Sequence, residues 1–503
     1  MMHGQVMPAQ WSQLSELVAG TMGLHFPRER WDDLKRGLID AAQEFGFEDA
    51  AACIDWLLSA PPTRAQLQVL AGHLTVGETY FFRDRQTLEV LTESILPELI
   101  RARRGGEQRL RIWSAGCCSG EEPYSLAILL HEALPDFGNW QVTITATDIN
   151  PRFLQKAVAG VYGEWSFRNA PAGLKQHYFH RTEDGHYTIV PQIRKLVNFA
   201  HLNLAEDAYP SLETDTNAMD VIFCRNVLMY FTPLQTRKVI RNLHHALVEG
   251  GWLVMSPSED SSSLFPNFVP VNFPSAILYQ KSDVAPRTEP VTVTANGAPE
   301  SGFPAIETSL SWEPSAAPVA VFESLQPKED HAVPEAPGSA LAFAQSLYEQ
   351  GRYAEVVDTL LAALAEHAPL TEACSLLARA LANQGRLADA LTWCDRWIVT
   401  DKLDPAGHYL RAGVLLEQGE LEQARSSLQR ATYLEPGFVL ANFALGNLAR
   451  RRGKTGEAGK HFANTLHLLQ GYQPGDLLPE SDGLTAGRLA QTLASLTDPE
   501  IAP

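Results

Sequence analysis

The spacing of apolar positions changes along the chain and predicts regions of different architecture. Between about residues 10 and 75, apolar residues recur every three or four positions, which is typical of amphipathic helices. From about 87 to 282, short apolar runs alternate with helical segments, and this alternation favours an α/β fold around a central sheet. We therefore expect a helical domain over 10–86 and an α/β domain over 87–282.

The predicted α/β domain has a Rossmann-like order of elements. The buried parallel strands are predicted at Leu110–Ala115, Val142–Thr147, Val221–Cys224 and Trp252–Met255, the helices between them at Leu126–Leu134, Pro151–Val158 and Leu234–Leu247, and closing strands within Phe268–Tyr279. Beyond this domain, residues 283–336 are rich in proline and lack sustained periodicity. Such a segment buries too little apolar surface to offset the entropy of ordering, so we expect a disordered linker.

An internal repeat with a period of 34 residues follows the linker. A dipeptide that ends in glycine recurs at this interval: Gln350-Gly351, Gln384-Gly385, Gln418-Gly419 and Arg452-Gly453. A small residue precedes each glycine by seven positions (Ala344, Ala378, Ala412, Gly446). An apolar residue follows each glycine after five positions (Val356, Ala390, Ala424, Ala458) and another after nine (Leu360, Cys394, Leu428, Phe462). This period and pattern resemble tetratricopeptide (TPR) repeats, which form an all-α solenoid. We expect repeats over 337–472 and a tail over 473–503, with an amphipathic helix at 484–496 that caps the array.

The segment Arg111–Ser125 contains the most informative local pattern of the α/β region. An apolar strand leads into a turn of small residues containing Gly116 and Gly120, and a helix begins with Glu121 and Glu122. Small residues after a strand allow a ligand to approach the backbone closely. Carboxylates at the helix start repel phosphate and suit a cationic ligand with hydroxyl groups, such as S-adenosylmethionine (SAM). Alone, the two acids could merely complement the helix dipole.

Three further segments place polar residues near the same edge of the sheet. Asp148 ends a predicted strand, where an acid can accept hydrogen bonds from both ribose hydroxyls of a nucleoside. The run Ile222–Phe231 forms another strand and its exit loop, which brings Arg225, Asn226 and Tyr230 to the strand end. The segment Thr75–Asp84 joins the helical domain to the core.

Composition narrows the classes of partner. The net charge is −19 and the pI is about 5.2, so general binding to nucleic acid or to anionic lipid is not expected. No stretch reaches the roughly 18 apolar residues of a membrane span, and the start of the chain lacks a signal-peptide pattern, so we expect a cytoplasmic protein without membrane insertion. Six scattered cysteines without a C-x-x-C pair predict neither a disulfide framework nor a metal site.

Taken together, these segments resemble the CheR family of chemoreceptor glutamate methyltransferases over about 10–282. The resemblance rests on Glu-Thr-Tyr-Phe-Phe-Arg at 78–83, Gly-Glu-Glu-Pro-Tyr-Ser at 120–125 and Cys-Arg-Asn at 224–226. With its TPR array, the chain looks most like the WspC-type members that serve surface-sensing, biofilm-related receptor signalling. The resemblance implies SAM as cofactor and the cytoplasmic helices of a methyl-accepting, chemoreceptor-like protein as substrate, with a further protein or peptide bound in the TPR groove.

The resemblance also implies roles for individual residues. The family's cofactor contacts correspond to Thr79, Arg83, Glu122, Asp148, Asn203, Leu204, Arg225 and Asn226, and its catalytic arginine and tyrosine correspond to Arg83 and Tyr230. Some members have Asn where this chain has Gly77, so a side-chain contact there is absent or replaced by backbone.

Two surface features follow from the same resemblance. A small β subdomain is expected near 178–200, through His186–Pro191 and Leu196–Phe199, with a short turn at 183–185. Some members use a longer turn here to bind the peptide tether at the carboxyl terminus of a receptor. Because this turn is short, we expect the TPR groove to serve for docking instead. The basic cluster Arg28, Arg30, Lys35 and Arg36 is either a docking face for acidic receptor helices or only a solvated face.

Several alternatives stay open at the level of sequence. Arg83 could pair with a neighbouring acid, Asp148 could be a turn former, and Tyr230 could be a core aromatic residue. The whole chain could also be a methyltransferase of another substrate, or a non-catalytic adaptor in which only the TPR array functions.

Overall fold

The computed structural model describes residues 6–105, 107–134, 136–206, 209–211, 214–259, 265–282, 291–292, 337–366, 371–481 and 484–497. Except for Val291–Thr292, the predicted linker over 283–336 therefore lies outside the described residues. Within the described part of the chain, no helix has both the length and the apolar character that crossing a bilayer requires.

A helical domain comes first, and two further helices connect it to the sheet. Its helices are α1 (Pro8–Met22), α2 (Trp31–Glu44), α3 (Ala50–Leu58) and α4 (Arg64–Leu74), and the connecting helices are α5 (Arg85–Val90) and α6 (Leu96–Arg103). The periodic apolar residues Leu14, Leu34, Leu38 and Ile54 form a fully buried core. Thr63 caps α4 through the Gln66 N–H, which explains why this helix begins where it does.

An eight-stranded sheet forms the centre of the α/β domain. Its strands are β1 (Arg109–Ala115), β2 (Gln141–Asp148), β6 (Val197–His201), β7 (Met219–Cys224), β8 (Leu247–Met255), β9 (Phe268–Asn272), β10 (Ile277–Lys281) and β11 (Val291–Thr292), and a separate small sheet contains β3 (Val161–Tyr162), β4 (Phe179–Arg181) and β5 (Tyr187–Ile189). The helices of this region are α7 (Glu121–Ala133), α8 (Pro151–Ala159), α9 (Leu174–Tyr178), α10 (Pro191–Arg194) and α11 (Pro233–Ala246).

The strand order places a crevice between β1 and β7. The order is β11-β9-β10-β8-β7-β1-β2-β6, and β6, β2, β1, β7 and β8 run parallel. Every residue of β1 and of β7 is buried, as expected for central strands covered on both faces. From β1 the chain continues to β2 and β6 on one side of the sheet, and it then crosses to β7 and β8 on the other side. In parallel sheets of this kind, the carboxyl ends of the two strands at the switch point border a crevice in which ligands bind. The predicted α/β core is thus confirmed.

The predicted β subdomain was wrong in one of its segments. The run at 196–199 does not belong to the small sheet, because Val197–His201 pairs in parallel with β2 at the edge of the main sheet. The small sheet instead recruits Val161–Tyr162, which pairs with β5. An edge strand shows the same alternation of buried and exposed residues as a strand of a small sheet, so the pattern could not separate the two cases. The short turn at 183–185 does join β4 to β5, where the Thr182 N–H donates to the His186 carbonyl (2.9 Å).

Four helix pairs and a final helix form the carboxyl-terminal region. The pairs are α12 (Pro337–Glu349) with α13 (Tyr353–Glu366), α14 (Thr371–Asn383) with α15 (Leu387–Thr400), α16 (Pro405–Glu417) with α17 (Leu421–Leu434), and α18 (Val439–Arg451) with α19 (Thr455–Leu469). The four repeated glycines adopt positive φ, between 71° and 79°, at the turn inside each pair. The small residues at the crossings are fully buried, and at Gly446 a Cβ would collide with the Phe462 ring. The predicted TPR solenoid is confirmed.

Helix α20 (Ala486–Thr497) closes the open end of this solenoid. Its residues Leu489 and Leu493 are buried in the same apolar cluster as Phe462 of the last repeat. The helix therefore covers an apolar face that would otherwise be exposed.

Candidate functional site

A cleft at the carboxyl ends of β1, β2 and β7 collects the candidate residues. It has a volume of about 1050 Å³, open mouth included, and the helical domain forms its other wall. Nine residues singled out from the sequence line it: Thr79, Arg83, Glu122, Asp148, Asn203, Leu204, Arg225, Asn226 and Tyr230. They come from five separate segments, so only the folded chain brings them together.

The glycine turn after β1 builds the floor of the cleft. The backbone N–H groups of Gly116 and Cys117 both donate to the Thr147 carbonyl, at 2.8 and 2.9 Å, which fastens the turn to β2. Gly116 has a φ of 79°, and a Cβ added there would collide with Val227 of the opposite loop. A larger residue could not occupy this position without closing the crevice.

Asp148 lies at the end of β2 with its carboxylate facing the glycine turn. One oxygen accepts the Cys118 N–H and the other accepts the Asn150 N–H, each at 2.8 Å. The alternative role as a turn former is therefore real, but it occupies only one acceptor direction of each oxygen. Burial raises the pKa of Asp148 to about 6, although these N–H groups oppose the shift.

The two acids at the start of α7 have different environments. Glu122 faces the cleft, where it accepts the Ser114 hydroxyl (2.7 Å) and an Arg225 guanidinium N–H (3.3 Å). Glu121 points away and is buried; it accepts the hydroxyls of Ser119 and Ser166, at 2.7 and 3.0 Å. The expectation that both carboxylates face a ligand therefore holds for Glu122 alone.

Arg225 is the buried cation of the cleft. Its guanidinium donates to Asp84 (3.0 Å), to Glu122 (3.3 Å) and to the Arg83 carbonyl (3.1 Å), which joins three segments of the site. Its Nε is buried and has no hydrogen-bond partner among the described residues. A buried donor without a partner costs free energy, so this atom marks a place where a ligand acceptor fits.

Glu259 is a residue of this site that sequence reasoning missed. Its carboxylate is buried and accepts the N–H groups of Asn226 (2.6 Å) and Met229 (3.1 Å), so it holds the loop that carries Arg225, Asn226 and Tyr230. Asn226 has a φ of 57°, a left-handed conformation that this tether supports. One feature of the sequence could have indicated this role: Glu259 comes shortly after the end of the buried strand β8, at the same edge of the sheet as the other polar residues that follow strands.

Arg83 and Tyr230 lie on the mouth side of the cleft. Arg83 donates to the Glu78 carbonyl (2.6 Å), and its guanidinium lies 5.8 Å from the centre of the Tyr80 ring. No ion pair of Arg83 with Asp84 or Glu78 is present among the described contacts, since Asp84 pairs with Arg225 and Glu78 with Arg168. Thr79 lines the cleft as well and is half-buried.

Tyr230 connects the cleft to the helical domain. Its carbonyl accepts the His25 N–H (2.7 Å), and the Arg30 guanidinium lies 5.6 Å from its ring centre. Tyr230 thus packs partly as a core aromatic residue, yet the same ring lines the cleft. Arg30, which had been considered only as part of a basic surface, lines the cleft as well.

The rest of the basic cluster is largely paired on its own helix. Lys35 pairs with Asp32 (3.0 Å), and Arg36 and Arg30 both pair with Asp33. These neighbours reduce the net positive charge of the face.

Asn203 and Leu204 form the side of the cleft next to the helical domain. The Asn203 amide nitrogen donates to the Thr21 carbonyl (2.7 Å) and to Glu206 (3.1 Å), and its oxygen accepts the Ala205 N–H (3.0 Å). These bonds fix the loop against α1. Leu204 supplies buried apolar surface to the cleft.

Gly77 has a structural reason to lack a side chain. A Cβ at this position would lie 2.6 Å from the Phe153 ring, and Phe153 lines the cleft. In this chain, an aromatic ring therefore occupies the space that an asparagine side chain would need.

Comparison with known proteins finds matches to two parts of the chain. The family model described as CheR methyltransferase, SAM binding domain, matches residues 77–274, and a tetratricopeptide repeat model matches residues 341–408 and 409–468. Chemotaxis protein methyltransferase 2 of Vibrio cholerae is 38% identical over 216 residues, which cover 43% of this chain and 73% of that protein. The probable biofilm formation methyltransferase WspC of Pseudomonas aeruginosa is 29% identical over 394 residues, 77% of this chain and 83% of that protein.

Proposed function

The chain belongs to the CheR methyltransferase family, and we propose that it methylates glutamate side chains on the cytoplasmic helices of a chemoreceptor-like protein. The observation that supports this proposal best is the single cleft in which all nine candidate residues meet. The family assignment establishes SAM as the cofactor and methyl transfer as the reaction class. It also favours catalysis over a purely adaptor role.

The residues of the cleft fit SAM. The unpartnered Nε of Arg225 offers a buried donor, and Asp148 and Glu122 offer carboxylates of opposite charge to a sulfonium or amino group. Asp148 would hold the ribose hydroxyls, Arg225 and Asn226 would hold the polar end of the cofactor, and Leu204 would provide apolar contact. When bound, SAM would supply a methyl carbon as the electrophile, and its sulfonium sulfur would leave as the neutral thioether of S-adenosylhomocysteine.

The reaction that we propose needs orientation rather than a strong base. A glutamate side chain has a reference pKa of about 4.3 and is already ionised at neutral pH. Arg83 would orient the substrate carboxylate at the cleft mouth, and Tyr230 would place its hydroxyl near the transferred methyl group. Burial of the carboxylate between these residues removes water and aligns one oxygen with the methyl carbon.

Glu259 gives a first prediction about activity. We expect Glu259→Gln to lower the turnover number about tenfold or more, because the amide NH2 faces one of the two N–H donors that the carboxylate now accepts. Steady-state kinetics and SAM titration measure this effect. A role in positioning predicts a lower turnover number with smaller changes in SAM affinity and in melting temperature. An equal loss of activity in Glu183→Gln, which changes an exposed acid of the turn between β4 and β5, would contradict it.

The raised pKa of Asp148 gives a second prediction. Only the ionised carboxylate accepts two ribose hydroxyls, and with a pKa of about 6 its ionised fraction falls about tenfold between pH 7 and pH 5. SAM affinity measured by calorimetry should fall by about the same factor over this range. In Asp148→Asn, affinity should be weak throughout and nearly independent of pH. A wild-type affinity that stays constant from pH 7 to pH 5 would contradict the assignment.

The substrate is tested by the chemistry of the product. The full chain should transfer radiolabelled methyl groups from SAM to the purified cytoplasmic domain of a methyl-accepting protein from the same organism. Because a glutamate methyl ester hydrolyses in base, the label should be released at alkaline pH as methanol. A label that resists base would instead indicate methylation of nitrogen and would overturn the proposed substrate class.

A further inference from the structure

We propose that the TPR array docks onto the methyltransferase domain of its own chain, through the turns inside its repeats, and does not hang from the linker as a free arm. The surface is the row of turns at Gly351, Gly385 and Gly419. Its partner is the edge of the sheet where the parallel strands begin. A carboxylate, Glu417, fastens the two together.

The three turns contact successive elements along that edge. Gly351 lies against His245 at the end of α11, where even a Cβ would collide with the imidazole ring. A Cβ on Gly385 would lie 2.8 Å from the Arg109 guanidinium at the start of β1, and Gly419 lies beside Gln141 at the start of β2. In the fourth repeat, no described atom lies within 4 Å of the Cβ position of Gly453, so the row of turn contacts ends with the third repeat. Beyond that row, the closing helix α20 makes a further contact, in which the Arg64 guanidinium of α4 donates to the Thr492 hydroxyl (3.1 Å).

Glu417 is the centre of the contact. One carboxylate oxygen accepts from Arg109 (3.1 Å) and lies 4.0 Å from an Arg111 nitrogen, and the other oxygen accepts the Asn217 amide (2.8 Å). The Glu417 backbone carbonyl accepts the Gln141 amide (2.6 Å). The side chains of Glu417, Arg109 and Arg111 are all less than 10% exposed.

The local sequence around Glu417 does not explain this residue, but docking does. Glu417 is the last residue of α16, and a negative charge at the carboxyl end of a helix opposes the helix dipole. Burial of a lone carboxylate there would add a large desolvation cost. Both costs are offset when two arginines and an amide of the other domain surround the carboxylate. Arg109 and Arg111 are likewise buried charges in a strand; Arg111 also pairs with Asp215 of its own domain (2.8 Å), whereas Arg109 donates to Glu417 (3.1 Å).

The docked position leaves the cleft accessible. The turns contact the beginning of β1 and β2, whereas the cleft lies at the ends of these strands, about 20 Å away for a strand of this length. The array therefore does not block the cleft. Its concave groove is instead held at a fixed place relative to the cleft, so a partner bound in the groove is presented in one orientation.

Cutting the linker tests the proposal. A protease site is inserted within residues 293–336 of the full-length protein, and the folded protein is cut and passed over a size-exclusion column at low micromolar concentration. We expect the two parts to elute together at the size of the intact chain. Their separation into two species would overturn the proposal.

Variants assign the association to Glu417. Glu417→Lys should weaken the association at least about 100-fold, so the cut parts separate, whereas Glu435→Lys changes an exposed acid outside this contact and should leave them together. Circular dichroism of the separated Glu417→Lys part should show folded helices, because the described contacts of this carboxylate all lie in the other domain. The double variant Arg109→Glu with Glu417→Lys should restore association. If the cut parts of Glu417→Lys still elute together, as expected for Glu435→Lys, the proposed role of Glu417 is wrong.

Discussion

Arg83→Ala is expected to lower the turnover number of methyl transfer by at least about 100-fold while the protein stays folded. The Arg83 guanidinium makes one hydrogen bond, to the Glu78 carbonyl, and no ion pair among the described contacts, so its removal leaves no carboxylate buried without a partner. Its loss removes the cation that we propose to orient the substrate carboxylate, and orienting groups contribute several kcal/mol to catalysis. Initial rates of label transfer at saturating SAM measure the effect.

The neighbouring arginine provides a matched control for this prediction. Arg85 lies two residues further on, is exposed, and pairs with Glu89 on the surface of α5 (2.9 Å). Arg85→Ala should keep nearly full activity. If Arg83→Ala retains wild-type turnover, the proposed role of Arg83 is wrong.

Arg225→Met is expected to remove both stability and cofactor binding. The substitution leaves Asp84 and Glu122 close together without the guanidinium between them. Loss of one partner of a buried ion pair costs about 3–5 kcal/mol, and we expect about 3 kcal/mol because these two carboxylates are partly exposed. The melting temperature of the methyltransferase domain should fall by several degrees, and calorimetry should detect no SAM binding.

A surface ion pair again provides the comparison. Arg85→Met breaks an exposed pair, which contributes less than about 1 kcal/mol, so the melting temperature should hardly change. Equal destabilisation by the two variants would contradict the account of Arg225 as the buried cation that joins three segments. Bound SAM should raise the melting temperature of the wild-type protein and of Arg85→Met, but not of Arg225→Met.

The apolar pattern predicted the fold correctly in segments whose own sequence indicates their secondary structure. The short apolar runs at Leu110–Ala115 and Val221–Cys224 predicted buried strands, which the structure places at the centre of the sheet, and the phase of the repeated glycines predicted the TPR pairs. Asp148, Arg225, Asn226 and Tyr230 were expected together because strand ends in a parallel sheet meet at one edge. Thr79, Arg83, Asn203 and Leu204 were candidates only through the family resemblance. Leu196–Phe199 was assigned to the wrong sheet because an edge strand and a small sheet share one periodicity.

What could not be predicted depends on contacts between distant segments. Glu259 looks like an ordinary loop acid until the structure places it under the backbone of Asn226 and Met229. Glu417 looks like a poorly placed helix-end residue until Arg109 and Arg111 surround it. Arg30 reads as one member of a basic surface, and only the packing of α1 and α2 against the sheet brings it to the Tyr230 ring. Such pairings have no local signature, because the two partners lie far apart in the sequence.

Calorimetric titration of the purified full chain with SAM and with S-adenosylhomocysteine tests the central claim most directly. Wild-type protein and Asp184→Ala, which changes an exposed acid of the small β sheet, should bind both ligands at one saturable site. Asp148→Ala should lose binding of both; its melting temperature should fall moderately, because the Cys118 and Asn150 N–H groups lose their acceptor, but the protein should stay folded at the temperature of the titration. If Asp148→Ala binds SAM as tightly as Asp184→Ala does, the cofactor lies elsewhere and the site assigned to this cleft is wrong.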